Sequence, residues 1–238
     1  MRENVRVDER VRSVMEARAD QERARRHRAG LGWQGAEALV AALEAAGIDP
    51  VDFGTFGAAS FTTFDFERAA PILVDWLPRV VDPGVKEAMV RSLAGQRSAQ
   101  GEGSRRLIAE FRRPDYADEA SLRWAIGNTL ATLAGPADAD AIIEVLHDRS
   151  AGVARQMLCD ALSRTKDPRR VAVLIGLIGD DAVAGHAISA LRRIGRGTLP
   201  EPERVRPMLE ALLVRPSATE FAQRQARAAL ETAGPRAS

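Results

Sequence analysis

The sequence predicts an all-α protein, built as an α-solenoid of about five helical pairs. The main observation is an internal repeat, in which five apolar segments align on a leucine that recurs at intervals of about 30–40 residues. In each segment the residues four and eight positions before that leucine are also apolar, which is the spacing of one face of a helix. These anchor leucines are Leu93, Leu130, Leu162, Leu191 and Leu230.

A second apolar helix is predicted ahead of each of these segments, and turn signals separate the two helices. An aspartate or serine in such a turn accepts hydrogen bonds from the free amides of the next helix, and a proline fits its first turn. No run alternates apolar and polar residues as a strand would, so we expect antiparallel helical pairs that bury their apolar faces by stacking. The turn signals are Asp82-Pro83-Gly84, Pro114-Asp115, Asp148, Asp180-Asp181 and Arg215-Pro216-Ser217.

Residues 65–234 resemble HEAT repeat proteins, including the HEAT-like repeats of the phycobilisome-lyase type. The matching stretch of the first pair is FERAAPILVDWLPRVVDPGVKEAMVRSLA, with Pro71 in its first helix and Lys86 opening its second. Arg155 repeats the basic position in the third pair, whereas the fourth pair has Ala184 there. The resemblance implies a right-handed solenoid whose second helices line the concave side. It implies no particular activity, because the superfamily contains scaffolds, adaptors and a few enzymes.

Three segments are expected along the chain: a charged N-terminal helix or arm (1–30), an N-terminal cap (31–64) and the HEAT-like repeats (65–235). The first segment has a narrow apolar stripe among many charges, which favours an added helix that docks on the end of the solenoid or frays. The alternative is an arm that binds RNA or another partner through its basic residues. Those residues are Arg23, Arg25, Arg26 and Arg28.

The stretch 53–66 holds five of the seven phenylalanines, with neither helical nor strand spacing. We expect it to form a loop that covers the open apolar edge of the first pair, with Trp33 and a helix over 35–47 completing the cap. Burial of an aromatic side chain contributes about 1.5–3 kcal/mol, which favours this interpretation. The alternative is an exposed aromatic patch that binds a partner.

Composition limits the classes of partner. A net charge of +1 with 28% charged residues demands neither a polyanion nor a membrane surface as a partner. No apolar stretch approaches the roughly 18 residues of a membrane span, and we expect a cytoplasmic protein. The single cysteine, Cys159, is expected to be a core residue without a disulfide.

No catalytic or cofactor motif is recognised. His27, His147 and His186 fall in different predicted elements, so no metal site is expected. The glycine-rich stretch 95–106 lacks the glycine spacing and the Lys-Ser/Thr pair of a P-loop, and we expect a flexible loop with Ser104 capping the next helix. The sequence therefore predicts a protein without an enzymatic activity, a cofactor or a metal.

One set of residues is a candidate for partner binding. Basic residues occupy the same position of three successive second helices, and stacking would align them near the concave face. They either form an internal ladder with turn aspartates such as Asp82 and Asp148, or line a groove for an acidic partner or nucleic acid. The candidates on this face are Lys86, Arg91, Arg123, Trp124, Asn128, Arg155, Asp160, Arg164, His186 and Arg193.

The favoured hypothesis is a noncatalytic scaffold or adaptor that binds another macromolecule, by preference a protein, through the concave face. An enzymatic alternative comes from HEAT-like proteins that resemble alkylpurine DNA glycosylases and place a carboxylate, tryptophans and arginines on that face. Asp160 beside Trp124 and Arg155 is the nearest match. The presence of only one tryptophan among the candidates on this face and the low net charge of the chain make nucleic acid the less favoured partner.

Overall fold

The computed structural model describes residues 36–48 and 65–232. Within these ranges the chain forms eleven α-helices and no strand, which confirms the all-α prediction. None of these helices is long and apolar enough to cross a lipid bilayer. They are α1 (Glu37–Ala45), α2 (Phe66–Trp76), α3 (Pro83–Ser92), α4 (Glu102–Phe111), α5 (Ala120–Leu133), α6 (Ala139–His147), α7 (Gln156–Thr165), α8 (Arg170–Gly176), α9 (Ala184–Ile194), α10 (Pro202–Leu213) and α11 (Glu220–Thr232).

Three sequence-predicted features lie outside the described ranges. The charged arm and Trp33 are among them, and so is the phenylalanine-rich stretch up to residue 64. Its last phenylalanine, Phe66, is the first residue of α2 and is half-buried against the core. The cap and the arm therefore stay predictions.

Local hydrogen bonds explain where several helices begin. The Asp82 carboxylate accepts from the amide of Val85 at 2.8 Å, and Pro83 takes the first position of α3, as the turn chemistry predicts. The prediction that Ser104 caps α4 is wrong. That helix already begins at Glu102, directly after Gly101, whose φ of 77° favours glycine. Ser104 is instead buried in the first turn of α4.

The second helices of successive pairs pack against one another in the order α3, α5, α7, α9 and α11. Four anchor leucines are fully buried between them, and Leu230 is partly buried. Two glycines allow close approach in this layer. A Cβ atom on Gly127 would lie 2.9 Å from the Cβ of Met157, and one on Gly185 would lie 2.5 Å from the Cδ1 of Phe221.

The first helices lie farther apart at two junctions. A cleft of about 550 Å³ lies between the C-terminal end of α4, with the turn that follows it, and α6. Another cleft of about 540 Å³ lies between α6 and α8. The layer of second helices is therefore closely packed where the layer of first helices is open.

Gly185→Ala is expected to lower the free energy of unfolding by about 1–3 kcal/mol, because the added methyl group forces Phe221 and the backbone of Ala222 away from α9. Urea denaturation measures the change. Gly176→Ala is the matched control, since nothing lies within 4 Å of its added Cβ and helical alanine should stabilise by about 0.5–1 kcal/mol. Equal stability of Gly185→Ala and the native protein would contradict the close packing of α9 on α11.

Candidate functional site

The second-helix face is defined by the positions two and six residues before each anchor leucine and two residues after it. Every residue at these positions is exposed or half-buried except Gly185, which is buried. Contacts between neighbouring helices tie these positions into one surface, as the Arg91–Trp124 and Asp160–Arg193 contacts below illustrate. The charged and aromatic members are Glu87, Arg91, Trp124, Asp160, Arg164, Arg193 and Arg224, and the smaller polar members include Asn128, Gln156 and Ser189.

Lys86 lies inside the protein rather than on this face. Its side chain is fully buried and forms an ion pair with the carboxylate of Glu110 on α4. The Nζ atom also lies 4.7 Å from the centre of the Tyr116 ring. Arg113 approaches the other oxygen of Glu110 at 3.7 Å. Lys86 therefore links the first helical pair to the second and offers no charge to a partner.

Arg155 is buried in the same manner, with 1% of its side chain exposed. Its guanidinium donates from Nη1 to the carbonyl of Leu146 at 2.7 Å and from Nη2 to Oδ2 of Asp180 at 2.9 Å. Its Nε donates to the carbonyl of Gly152 at 3.1 Å. Arg155 thus links the third pair to the fourth. It was a candidate for partner binding on the concave face, but its side chain is buried inside the protein.

Arg123 occupies the equivalent position in the second pair but makes no ion pair within the described ranges. Its guanidinium lies 4.4 Å from the centre of the Phe111 ring, and Nη1 donates to the carbonyl of Ala117 at 3.3 Å. Burial lowers the pKa of Arg123, while the charge of Asp148 acts in the opposite direction. The aspartates named for a ladder act locally instead, since Asp82 caps α3 and Asp148 binds Ser150.

In the link between the fourth and fifth pairs the charges are exchanged: the earlier pair supplies the acidic residue and the later pair supplies the basic one. Ala184 replaces the basic residue there, and Asp181 pairs instead with Arg215 across a distance of 2.7 Å. Sequence reasoning missed this link. The available signal was Arg215 itself, which stands in a turn where the third and fourth pairs have aspartates.

The N-terminal half of the second-helix face is built around Trp124, which is 40% exposed. The Arg91 guanidinium lies 5.6 Å from the centre of its ring, and Arg91 Nε donates to Glu87 at 2.8 Å. Asn128 is half-buried one turn further along α5. This arrangement places an exposed aromatic side chain next to a half-buried guanidinium group.

The middle of the face contains Asp160, His186 and Arg193. Arg193 Nη1 lies 2.8 Å from Oδ1 of Asp160, whose side chain is 14% exposed. The His186 ring lies 4.9 Å from that of Phe221, and burial lowers the pKa of His186 while the charge of Asp160 opposes the shift. His186 is therefore mainly neutral at pH 7. Arg164 is exposed and forms no ion pair with any described residue.

The part of the chain that the structure describes contains no group of three or more His, Cys, Asp or Glu residues placed to hold a metal ion. Cys159 is fully buried, and burial raises the pKa of its thiol far above the usual range. The face described above offers charge pairing, hydrogen bonds and aromatic contact.

Comparison with family models, with curated proteins and with solved structures found no match to this chain.

Proposed function

We propose that this protein is a noncatalytic scaffold or adaptor whose second-helix face binds a protein partner. The observation that carries the proposal is Trp124, which is 40% exposed beside Arg91 and in the same layer of helices as Arg164. Tryptophan and arginine supply a large share of the binding energy in protein interfaces, because they combine a large contact area with directional polar groups. A rigid tryptophan also loses little conformational freedom on binding.

We further propose that the five pairs form a right-handed HEAT-like solenoid with the second helices on the concave side. Close packing of the second helices through Gly127 and Gly185 supports this curvature, and so do the clefts between the first helices. In a curved stack the inner layer is the more closely spaced one.

Helix α11 differs from the preceding second helices in the polarity of one position. Arg227 is exposed at the position where the preceding second helices bury Val90, Cys159 and Ile188. Terminal repeats of a solenoid need such a polar outer face. The exposed residues at helical spacing along α11 are Glu220, Arg224, Arg227 and Glu231.

The glycosylase alternative has less support. Asp160 is held by Arg193 at 2.8 Å, and Glu87 adds a second carboxylate to the same face, which weakens attraction for phosphates. Binding of RNA through residues 1–30 stays a prediction, since that arm lies outside the described ranges.

A photo-crosslinking amino acid at position 124 tests the proposal. Benzoylphenylalanine in place of Trp124 keeps an aromatic side chain at the centre of the face, and irradiation in the native cell is expected to yield a discrete protein adduct. The same group in place of Ala109, an exposed residue of α4, is the control and should yield no such adduct. Adducts from position 109 alone, or an adduct that nuclease removes and protease does not, would contradict a protein partner at this face.

A further inference from the structure

Five cations on or beside the C-terminal helices of the second-helix face form no ion pair with any described residue. Three belong to helices α7, α9 and α11, and two directly follow α7 and α9. We call them the basic patch: Arg164, Lys166, Arg192, Arg196 and Arg224. Arg192 Nη1 reaches Oε1 of Gln225 on α11 at 3.2 Å, and the Arg224 guanidinium lies 5.5 Å from the Phe221 ring centre. The Arg192–Gln225 contact links α9 to α11.

Helix stability accounts for only part of this charge. Cations in the last turn of a helix interact favourably with its dipole, which explains Arg164 and Arg192. Arg224 lies in the first half of α11, where a cation gains nothing from the dipole. Lys166 and Arg196 lie beyond their helices with φ values of 60° and 54°, where glycine or asparagine is the usual choice. The fold therefore does not require positive charge at these three positions.

The chemistry of the patch favours carboxylates. Guanidinium groups bind carboxylates through two parallel hydrogen bonds, and four of the five cations are arginines. Phe221 is half-buried beside Arg224, so an apolar side chain of the partner can accompany an acidic one there. The carboxylates of Asp160 and Glu220 lie on these helices as well. A protein segment whose acidic residues are spaced apart can place neutral residues opposite them, whereas the evenly spaced phosphates of a nucleic acid cannot avoid them.

We infer that the partner contacts this face through an extended acidic segment that runs over the basic patch, an inference that rests on the proposed function. Three helices in contact place α11 about 16–20 Å from α7. An extended chain covers this distance with about six residues. The acidic segment is therefore short, and its charges speed association at low ionic strength.

Fluorescence anisotropy with the full chain tests the inference. The probe is a fluorescein-labelled peptide of about ten alternating Glu and Leu residues, long enough to span the patch. We expect binding that weakens as salt is added, and no binding of the peptide with Gln in place of Glu. Arg164→Glu combined with Arg224→Glu is expected to weaken binding by about tenfold or more. Replacement of the same two residues by Lys should retain most of the binding.

The control is Arg97→Glu combined with Arg105→Glu, an equal charge change at exposed positions before and within α4. It should bind like the native protein, and circular dichroism confirms that both double variants fold. The inference is overturned if the peptide does not bind at low ionic strength, if the two double variants bind alike, or if short duplex DNA competes with the peptide at physiological ionic strength.

The two proposals fail in distinguishable ways. If position 124 yields a protein adduct but the acidic peptide does not bind, the proposed function is supported and the acidic segment is rejected. If the peptide binds but position 124 yields no protein adduct, the proposed function is rejected. The inference is then rejected as well, because it rests on that function.

Discussion

Replacing Arg155 with methionine is expected to lower the free energy of unfolding by about 3 kcal/mol, since it breaks a buried ion pair and leaves Asp180 only the exposed Arg149, whose Nε lies 3.9 Å from Oδ2. The Asp180 carboxylate is 12% exposed and would lose its guanidinium partner at 2.9 Å. The carbonyls of Leu146 and Gly152 would lose a donor as well. Methionine is long enough to fill much of the space, so the lost polar contacts rather than a cavity account for the effect. Urea denaturation monitored by circular dichroism measures it.

A double-mutant cycle separates the ion pair from the rest of the site. Asp180→Asn keeps an oxygen for the Ala182 amide, which Oδ1 accepts at 3.1 Å, and removes the charge. Arg155→Met combined with Asp180→Asn should be more stable than Arg155→Met alone, because no uncompensated carboxylate remains. A loss below about 1 kcal/mol for Arg155→Met would place this arginine among ordinary surface residues.

The helices were predictable because they depend on local sequence. An apolar residue at every fourth position specifies the buried side of a helix, and Leu93, Leu130, Leu162 and Leu191 are fully buried as this spacing predicts. Leu230 carries the same pattern but is only partly buried. Its helix, α11, packs on α9 and α10 within the described ranges, so fewer neighbours cover it.

Whether a charged side chain is buried, and which residue it pairs with, was less predictable, because both depend on residues distant in sequence. Lys86 and Arg91 both belong to α3, yet Lys86 is buried through a carboxylate 24 positions away and Arg91 pairs locally with Glu87. Repeat alignment placed Lys86 and Arg155 in one set, and they do share a role. The alignment could not show that both side chains are buried, because their carboxylate partners do not occupy equivalent positions. Glu110 lies in a helix and Asp180 lies in a turn.

The stretch before α4 illustrates a different limit. A serine followed by a helix is a common cap signal, which is why Ser104 was predicted as the cap. Gly101 adopts a left-handed conformation and allows the helix to begin three residues earlier. Packing favours the start after Gly101 over a start at Ser104. Gly103, inside the first turn, fits closely against Val74 and Ala99, and a Cβ atom on Gly103 would lie 3.1 Å and 3.2 Å from their side chains.

Lys86→Met is expected to destabilise the protein by about 3 kcal/mol, because the buried carboxylate of Glu110 loses its ion-pair partner. The expected loss is at the lower end of the range for a broken buried pair, since Arg113 remains 3.7 Å from the other oxygen of Glu110. Chemical denaturation gives the change in free energy of unfolding. Glu110→Leu alone should cost a similar amount, because the ammonium group of Lys86 is then buried without a counter-charge.

The double variant Lys86→Met with Glu110→Leu decides whether the loss comes from the charges. Removing both groups should restore most of the stability, because apolar side chains of similar size often replace a buried ion pair at little or no cost. Arg113 keeps its pairing with Asp115 at 2.7 Å, and the Tyr116 hydroxyl keeps its hydrogen bond to the carbonyl of Val81 at 3.2 Å. A double variant as unstable as the sum of the two single variants would mean that the two residues act independently. The link between the first and second helical pairs would then depend on packing around α4 rather than on this ion pair.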